Sequence, residues 1–530
     1  EEERLERFSR WSQEHGIQFR GCAIKRVSDA EGFGLYTQND SARGDFLSFC
    51  APLSTDFADV LVVTPLDLAL TPVTIVKDPV LGNVYREMLG NEIDDRLLVM
   101  IFLIIERARG RASFWAPYLE MLPSGFGTPL WFEDEELMEL DGTTLFEATK
   151  AQQRCLPSVY IGTLCCQLFL VSLYLFRPDD RELEFQEFLW ANCIFWTRAL
   201  NIPCPASFVT SSSPEVAKDD GNRLVIYVLP HPFISCSSKD VSTIWIEGLV
   251  PGIDFCNHTR RASGLWEIDG SDGSTSGVPH SMYLIADVVF PPGSEVLINY
   301  GDKGNEELLF LYGFVEEDNS NDYVMVHFPK MFLDEDNTMD FKLQLLRELD
   351  LSLKWLLPSS LLASGFLRKN PDDKATRTHP GFSWSGHRKA PSYLDCLVFP
   401  EDMVLSLRVL SMPETALHGV ANLLEQISHV PSKDDIQAAV WEVCGDAEAL
   451  TLLVTILSAK MADLVRGTGP ESRDEELLER DRRCKEQGTV DDTGFLSQNH
   501  RACVIYRKSQ KRLVSSFLQE AKLALEACLA

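Results

Sequence analysis

The chain has 530 residues, of which 45% are hydrophobic and 24% charged, and this composition is typical of a globular protein with about two to four domains. Its net charge of −30 argues against DNA or RNA as the ligand, because phosphate binding needs a basic surface. An acidic protein suits a basic or lysine-bearing protein partner, although the charge could equally serve solubility alone.

The cysteines and apolar runs narrow the class further. None of the 14 cysteines forms a Cys-x-x-Cys pair, which favours free thiols in a reducing compartment and predicts no metal site. The longest apolar run, residues 161–176, is interrupted by Gln167 and is too short to span a membrane. We therefore expect neither a membrane nor a nucleic acid among the partners.

The first part of the chain is predicted to be a helix followed by short strands. Residues 1–15 have helical spacing, and residues 17–49 alternate like strands that are interrupted by glycines. Gly32 and Gly34 are two of these, and a glycine allows a positive φ or a close approach of backbone to a ligand. A plain hairpin turn is the simpler interpretation of this stretch alone.

The pattern is helical from about residue 87 to residue 200. Residues 97–107 read as an apolar helix, and residues 148–176 as a further helical stretch that Pro157 is expected to kink or split. Arg198 falls in the last turn of this region, a position that the helix dipole favours for a cation.

Residues 248–314 carry the candidate chemistry. The stretch contains Asp254-Phe-Cys-Asn-His258, a strand-like run at 281–289, and a second group that runs from Asn299 to Phe314. Each aromatic residue here would more simply be a core residue if taken alone. The joint spacing favours a functional site, made of these residues: Asn257, His258, Tyr300, Tyr312 and Phe314.

The remainder is predicted to be mostly helical. A strand is expected at 323–328, and long loops at 368–391 and, with a solvated helix, at 467–487. Helices are predicted at 341–357, 400–410, 414–427, 434–443, 447–464 and 502–529.

Several separated motifs together resemble the SET-domain methyltransferases of the Rubisco large-subunit lysine methyltransferase type. Glu31-Gly-Phe-Gly-Leu-Tyr36 looks like the first strand pair of that domain, and Ser113-Phe-Trp-Ala-Pro-Tyr118 looks like its helical insertion. The stretch 248–314 resembles its cofactor and tyrosine region. The family includes plastid and nuclear lysine methyltransferases and an actin histidine methyltransferase.

The resemblance implies an α+β fold: a β-rich SET domain with small sheets and a pseudoknot, split by a helical insertion and followed by a mostly α-helical domain. The implied boundaries are residues 1–86 for the N-terminal helix and first SET part, 87–228 for the insertion, 229–316 for the second SET part and 317–530 for a helical substrate-binding-like domain.

The implied activity is transfer of a methyl group from S-adenosylmethionine to a lysine of a protein substrate, with histidine as the other possible acceptor. The rival hypothesis is a catalytically inactive SET scaffold in a larger assembly, such as a plastid complex. A generic helical adaptor fits only the last third of the chain. Retention of both tyrosines and of the Asn-His pair favours the enzyme. The resemblance also favours a monomer in the chloroplast over one in the cytoplasm or nucleus.

The family also implies a role for individual residues. Tyr300 and Tyr312 match its catalytic tyrosines. Trp266 stands where plastid enzymes carry a substrate-contacting tyrosine, and it would contact the acceptor together with Asp254 and the two tyrosines. The implied cofactor-binding residues are Glu31, Gly32, Phe33, Arg198, Asp254, Asn257, His258 and Phe314.

Overall fold

The computed structural model describes residues 2–28, 32–38, 60–90, 93–164, 185–211, 243–287, 290–329, 338–367, 384–385, 387, 391–487 and 495–530. The chain divides into two compact units, and it passes from one to the other more than once. Unit 1 comprises Glu1–Trp131, Ala151–Asp302 and Leu311–Gly313, and unit 2 comprises Phe132–Lys150, Lys303–Phe310 and Phe314–Ala530. The four domain boundaries implied by the family stay a prediction.

The described strands are short and pair antiparallel. Unit 1 contains β1 (Gln18–Phe19), β2 (Cys22–Ser28), β3 (Gly32–Thr37), β4 (Val60–Pro65), β5 (Leu200–Pro205), β6 (Thr243–Gly248), β7 (Gly264–Ile268) and β8 (Ser281–Ala286). Unit 2 contains β9 (Tyr323–His327) and β10 (Lys354–Pro358). Strands β1, β4, β8 and β7 form a sheet in that order, and the others form the pairs β2–β3, β5–β6 and β9–β10.

Helices make up most of the remaining described structure. The first nine are α1 (Glu2–Glu14), α2 (Pro72–Ile75), α3 (Gly82–Gly90), α4 (Asp95–Arg109), α5 (Ala116–Leu119), α6 (Asp134–Met138), α7 (Thr144–Leu164), α8 (Phe185–Arg198) and α9 (Ala206–Ser211). They are followed by α10 (Asn305–Glu307), α11 (Met339–Glu348), α12 (Glu401–Ser411), α13 (Glu414–Leu424), α14 (Lys433–Val443), α15 (Ala447–Val465), α16 (Glu471–Gln487) and α17 (Gln498–Leu529). Among the described residues, no helix combines the length and apolar character that crossing a bilayer would need.

Helix α4 shows how the sequence builds the core of unit 1. Its N-cap residue Asp94 accepts hydrogen bonds from the backbone N–H groups of Arg96 and Leu97, which satisfies two otherwise unpaired donors. The residues from Leu98 to Ile105 are all buried, and the helix packs against α8. The predicted helix at 97–107 is thereby confirmed, with two more residues at each end.

Helix α7 decides between the two outcomes expected at Pro157, a kink or a split. The helix continues through Pro157, so the split into two helices does not occur there. A proline removes the hydrogen bond to the carbonyl four residues earlier. Pro157 lies on an exposed part of the helix, where water can satisfy that carbonyl at little cost. The second half of the predicted stretch, residues 165–176, lies outside the described residues.

A late segment of unit 1, residues 293–300, runs between two earlier ones. On one side the Val296 N–H donates to the Leu35 carbonyl of β3 at 2.7 Å. On the other side the Ile298 N–H donates to the Asn257 carbonyl at 3.0 Å. This crossing corresponds to the pseudoknot expected for the SET fold, and it brings the Asn-His pair beside the strand that ends at Tyr300.

Unit 2 is predominantly helical, as predicted, except after α11. The helix expected over 341–357 ends at Glu348, and the chain then forms β10 in register with β9. Trp355 and Leu357 are buried and Lys354 is exposed, which is the alternation of a strand. A short leucine-rich run fits either periodicity, so only the pairing with β9 decides between them. The other predicted helices of this region are confirmed within a few residues.

Buried ion pairs connect α16 to α17 within unit 2. Asp474 Oδ1 accepts a hydrogen bond from Arg507 Nε at 2.8 Å, and Oδ2 accepts one from Lys511 Nζ at 2.6 Å. All three side chains are almost completely buried. Each oxygen of this carboxylate therefore has its own cationic partner.

Candidate active site

Tyr300 is held by three consecutive residues of unit 1. Its hydroxyl donates a hydrogen bond to the Cys256 carbonyl oxygen at 2.7 Å, and its backbone N–H donates to His258 Nδ1 at 3.1 Å. Between these two residues, the Asn257 carbonyl accepts the hydrogen bond from Ile298 that belongs to the crossing. Because Nδ1 of His258 is an acceptor, a neutral ring carries its proton on Nε2.

The two tyrosines predicted to be catalytic lie together. The ring centroids of Tyr300 and Tyr312 are 4.8 Å apart at an interplanar angle of 41°, and the His258 ring is 5.0 Å from that of Tyr300. Tyr312 ends a short π-helix, Leu308–Tyr312, a rare form that is frequently found at functional sites. Burial raises the pKa of the Tyr300 phenol. The phenol therefore stays protonated near neutral pH, and it can orient a ligand but not remove its proton.

A close contact between two glycines fixes the backbone next to Tyr312. A Cβ on Gly127 would stand 2.4 Å from the Gly313 carbonyl oxygen, and one on Gly313 would stand 2.6 Å from the Gly127 carbonyl carbon. Gly313 also has a φ of +83°, which side chains rarely adopt. Only glycine fits at either position.

Asp254 is a buried carboxyl group with one unused oxygen. The Tyr118 hydroxyl donates to Oδ2 at 2.5 Å, whereas Oδ1 is buried and has no hydrogen-bond partner. Burial raises the pKa of Asp254 to about 6, and the nearby positive charge of Arg198 opposes that rise. A buried, unpaired polar atom is costly and calls for an explanation, and a bound ligand is one such explanation.

Arg198 is the last residue of α8, where the sequence predicted a helix end. Its Nη1 donates to the backbone carbonyl of Asp254 at 2.8 Å, and its guanidinium lies 5.3 Å from the ring centroid of Phe255. Its charge also lowers the pKa of the Tyr300 phenol, against the effect of burial. Arg198 thus contributes positive charge to the tyrosine region, while direct contact with a cofactor stays a prediction.

Asn257 lies beside a glutamate that the sequence did not single out. The Asn257 Nδ2 group donates to Glu295 Oε1 at 2.7 Å. Glu295 itself bridges to Tyr36 at the end of β3. Glu295 therefore links Asn257, through its side chain, to the glycine-containing hairpin, through its backbone.

That hairpin contains the remaining N-terminal predictions. Gly32 has a φ of +73°, and a Cβ there would meet open space. The ring of Phe33 packs edge-on against that of Phe255, with centroids 6.4 Å apart. Glu31 lies outside the described residues.

Trp266 and Phe314 are partly buried. Trp266 lies on β7 opposite Leu284 of β8, and it packs against the core of unit 1. Phe314 belongs to unit 2. Their proposed contacts with acceptor and cofactor stay predictions.

Some contributors to the site were not predicted as site residues, among them Tyr118, Gly127 and Glu295. Each acts through a partner that is distant in sequence, so spacing alone could not identify them. Tyr118 belongs to a motif that carried the resemblance, and this was the one available signal. Within the described ranges, no group of three or more His, Cys, Asp or Glu side chains could hold a metal ion.

The site residues fit the chemistry of S-adenosylmethionine. Such a ligand needs acceptors for an ammonium group, a path close to backbone for a nucleoside, and aromatic walls for a methyl group. Unit 1 contains groups of each kind: the Asn257 and Glu295 pair, the glycines of β3, and the packed rings of Tyr300 and Tyr312. Which of them contact a cofactor stays a prediction.

No protein-family model matches the chain. The chain is 24% identical over 320 residues to an actin-histidine N-methyltransferase of Mus musculus, which is 60% of this chain and 43% of that protein. The same enzyme of Homo sapiens is 24% identical over 326 residues, with the same two shares. The chain therefore spans less than half the length of these curated relatives.

Solved structures extend the likeness to the whole fold. The SET domain of LSMT bound to lysine and AdoHcy, and Rubisco LSMT bound to AdoMet, each give a TM-score of 0.61 at 18% identity. Each alignment covers 99% of this chain and 93% of the other. The resemblance and fold class predicted from the sequence are thus confirmed: the chain has the SET fold and helical domain of Rubisco LSMT, and its sequence is similar to actin-histidine N-methyltransferases.

Proposed function

We propose that the chain is an S-adenosylmethionine-dependent protein N-methyltransferase. The observation that carries this proposal is the pair of packed phenols, Tyr300 and Tyr312, beside the Cys256 carbonyl. It is supported by the solved structures of similar fold, which were bound to AdoMet, AdoHcy or sinefungin. S-adenosylmethionine, when bound, supplies a methyl group that its sulfonium makes electrophilic.

The residues of the chain would bind and orient both reactants. The Asn257 amide and the backbone of β3 near Gly32 and Gly34 would hold the cofactor. Phe33 offers an apolar face for its adenine ring, and a role of Phe314 in adenine binding stays an implication of the resemblance. Backbone carbonyls such as that of Cys256 can accept weak C–H···O contacts from a polarised methyl group.

Lysine is our first candidate for the acceptor. Its amine is neutral only about one time in a thousand at pH 7.4, so the site must favour the neutral form. Burial beside the phenols and repulsion by a cationic cofactor both do this. The Tyr300 phenol would then orient the amine for in-line attack, and positioning of this kind accounts for several kcal/mol of catalysis.

Histidine is the second candidate, and the curated relatives favour it because they are named as actin-histidine N-methyltransferases. An imidazole with a pKa near 6.5 is already mostly neutral at pH 7.4, so it requires less help from burial. Trp266 would form part of the wall on the acceptor side, where its indole offers one hydrogen-bond donor.

Calorimetric titration of the full chain with S-adenosylhomocysteine tests the proposal. We expect binding by wild type and by Tyr300→Phe, and weak or no binding by Asn257→Ala. Methyl transfer from labelled cofactor to lysate proteins should fall about a hundredfold in Tyr300→Phe, because the acceptor loses its orienting hydroxyl. Hydrolysis of the labelled protein then identifies methyl-lysine or methyl-histidine. A folded wild type that binds no S-adenosylhomocysteine would leave the inactive scaffold as the explanation.

A further inference from the structure

Glu295 is a carboxylate inside the candidate site that the sequence did not single out. Its Oε1 accepts a hydrogen bond from Asn257 Nδ2 at 2.7 Å. Within the described part of the chain, this is the one hydrogen bond assigned to the Glu295 side chain. Its place in the site is therefore defined by the residue that we expect to hold the amino-acid end of the cofactor.

The backbone fixes where this carboxylate can be. The residues on either side of Glu295 bond to β3: the Thr37 N–H donates to the Ser294 carbonyl at 2.9 Å, and the Val296 N–H donates to the Leu35 carbonyl at 2.7 Å. Glu295 itself bridges to Tyr36. Because the backbone is bonded on both sides of the residue, the side chain starts from a fixed point.

Gly34 provides the space for the pair. A Cβ on Gly34 would stand 2.5 Å from Glu295 Oε1 and 3.2 Å from Asn257 Nδ2. The carboxylate and the amide thus pack directly against backbone that has no side chain. Any larger residue would have to separate them.

The charge of Glu295 determines which way the Asn257 amide faces. A carboxylate only accepts hydrogen bonds, so it selects the NH₂ group of the amide and directs the amide oxygen away from itself. A glutamine at 295 could donate as well as accept, and this selection would be lost. An amide oxygen presented in this way is an acceptor suited to an ammonium group.

We propose that Glu295 is a positioning residue for cofactor binding: it orients the Asn257 amide oxygen toward the ammonium group of the cofactor's amino-acid end. Its own negative charge further favours that cation. The inference rests on the proposed function, since it requires that the site bind S-adenosylmethionine.

Two ligands separate this role from a purely structural one. S-adenosylhomocysteine carries the amino-acid end, whereas 5′-methylthioadenosine carries the same nucleoside and sulfur without it. We expect Glu295→Gln to weaken S-adenosylhomocysteine roughly tenfold, as for loss of a hydrogen bond to a charged group. Affinity for 5′-methylthioadenosine, measured by displacement of labelled S-adenosylhomocysteine, should stay within about twofold of wild type.

Glu267→Gln is the matched control. Glu267 is an exposed carboxylate on β7 that also accepts one hydrogen bond, from the Tyr283 hydroxyl at 2.8 Å. The substitution Glu267→Gln makes the same chemical change outside the site. The affinities of this variant for S-adenosylhomocysteine and for 5′-methylthioadenosine should match those of wild type. Urea unfolding of each variant shows whether the fold is intact.

A reversed pair provides the second test. Asn257→Asp places two carboxylates against each other and should weaken S-adenosylhomocysteine further than Glu295→Gln does. Combining Asn257→Asp with Glu295→Gln restores one donor and one acceptor, so the double variant should bind more tightly than Asn257→Asp alone.

The outcomes are distinguishable. Equal weakening of both ligands by Glu295→Gln, or no weakening of either, would overturn the positioning role. Strictly additive losses in the double variant would also overturn it. If wild type binds neither ligand, the proposed function fails, and this inference fails with it.

Discussion

Asp474 in unit 2 and Asp254 in unit 1 are both buried, at 0% and 6% exposure, but their surroundings differ. One oxygen of Asp474 accepts a hydrogen bond from Arg507, and the other accepts one from Lys511. One oxygen of Asp254 accepts a hydrogen bond from the neutral Tyr118 hydroxyl, and the other oxygen has no hydrogen-bond partner.

The difference separates structure from function. A fully paired buried carboxylate connects two helices and presents nothing to a ligand. A buried carboxyl with an unused oxygen reduces stability, which its raised pKa of about 6 reflects. Proteins keep such unfavourable groups mainly at sites that bind or react. The buried Asp254 of unit 1 therefore lowers the stability of the fold, whereas the fully paired Asp474 of unit 2 does not.

Removal of the paired carboxylate should have the largest effect. Asp474→Ala leaves the buried Lys511 without its carboxylate partner and Arg507 with Glu139 alone, and should lower the free energy of unfolding by about 3–5 kcal/mol. Denaturation by urea, followed by circular dichroism, measures this. Glu475→Ala is the control, because Glu475 forms an exposed pair with Lys508 that contributes about 1 kcal/mol or less. Equal losses in the two variants would contradict the contrast.

Neutralisation of the unpaired carboxyl should have the opposite sign. The pKa of Asp254 rises from about 3.9 in an unfolded chain to about 6 in the fold, so the native state binds the proton more tightly. The wild-type free energy of unfolding therefore loses up to about 3 kcal/mol between pH 4 and pH 6 through this group. The free energy of unfolding of Asp254→Asn should therefore rise relative to that of wild type between pH 4 and pH 6. Above pH 6 the difference between the two proteins should stay constant.

Urea unfolding of both proteins at pH 4, 5, 6 and 7 gives this difference directly, because contributions from other carboxyl groups cancel. Parallel behaviour from pH 4 upward would show that Asp254 is as well compensated as Asp474. We also expect the stabilised variant to bind S-adenosylhomocysteine less well, as is common when a site residue is exchanged for stability.

The smallest expected effect concerns packing next to Tyr312. Gly127→Ala places a methyl group against the Gly313 carbonyl, and overpacking of this kind costs about 1–3 kcal/mol. Thermal unfolding should show the loss, and methyl transfer should fall as Tyr312 shifts. In Gly125→Ala the nearest atom to the new carbon is Trp131 Nε1 at 4.0 Å, so neither quantity should change. If the two variants behaved alike, the backbone at the Gly127–Gly313 contact would have to adjust to a methyl group at little cost.

Much of the fold could be predicted from the sequence. Helical spacing gave α1, α4 and most helices of unit 2, because apolar periodicity reflects which face is buried. The error at β10 arose where a run of leucines fits two periodicities and only the partner strand decides. At α7, Pro157 is exposed, so water can satisfy the carbonyl that loses its hydrogen bond. The sequence does not reveal that exposure.

The site was predictable where its residues stand close together along the chain. Asn257, His258 and Tyr300 form motifs, and the structure brings them together through the crossing at Ile298. Glu295 and Tyr118 depend on partners 38 and 136 residues away, and no local pattern encodes such contacts.

The contact between Gly127 and Gly313 has a consequence for redesign of the proposed active site. A wall built from side chains can be widened or narrowed one methyl group at a time, but two touching backbones offer no such adjustment. The backbone of Tyr312, next to that contact, therefore has an essentially fixed position relative to Gly127. Mutagenesis aimed at the proposed acceptor range should therefore change side chains that can be replaced, such as Trp266, and leave Gly127 and Gly313 unchanged.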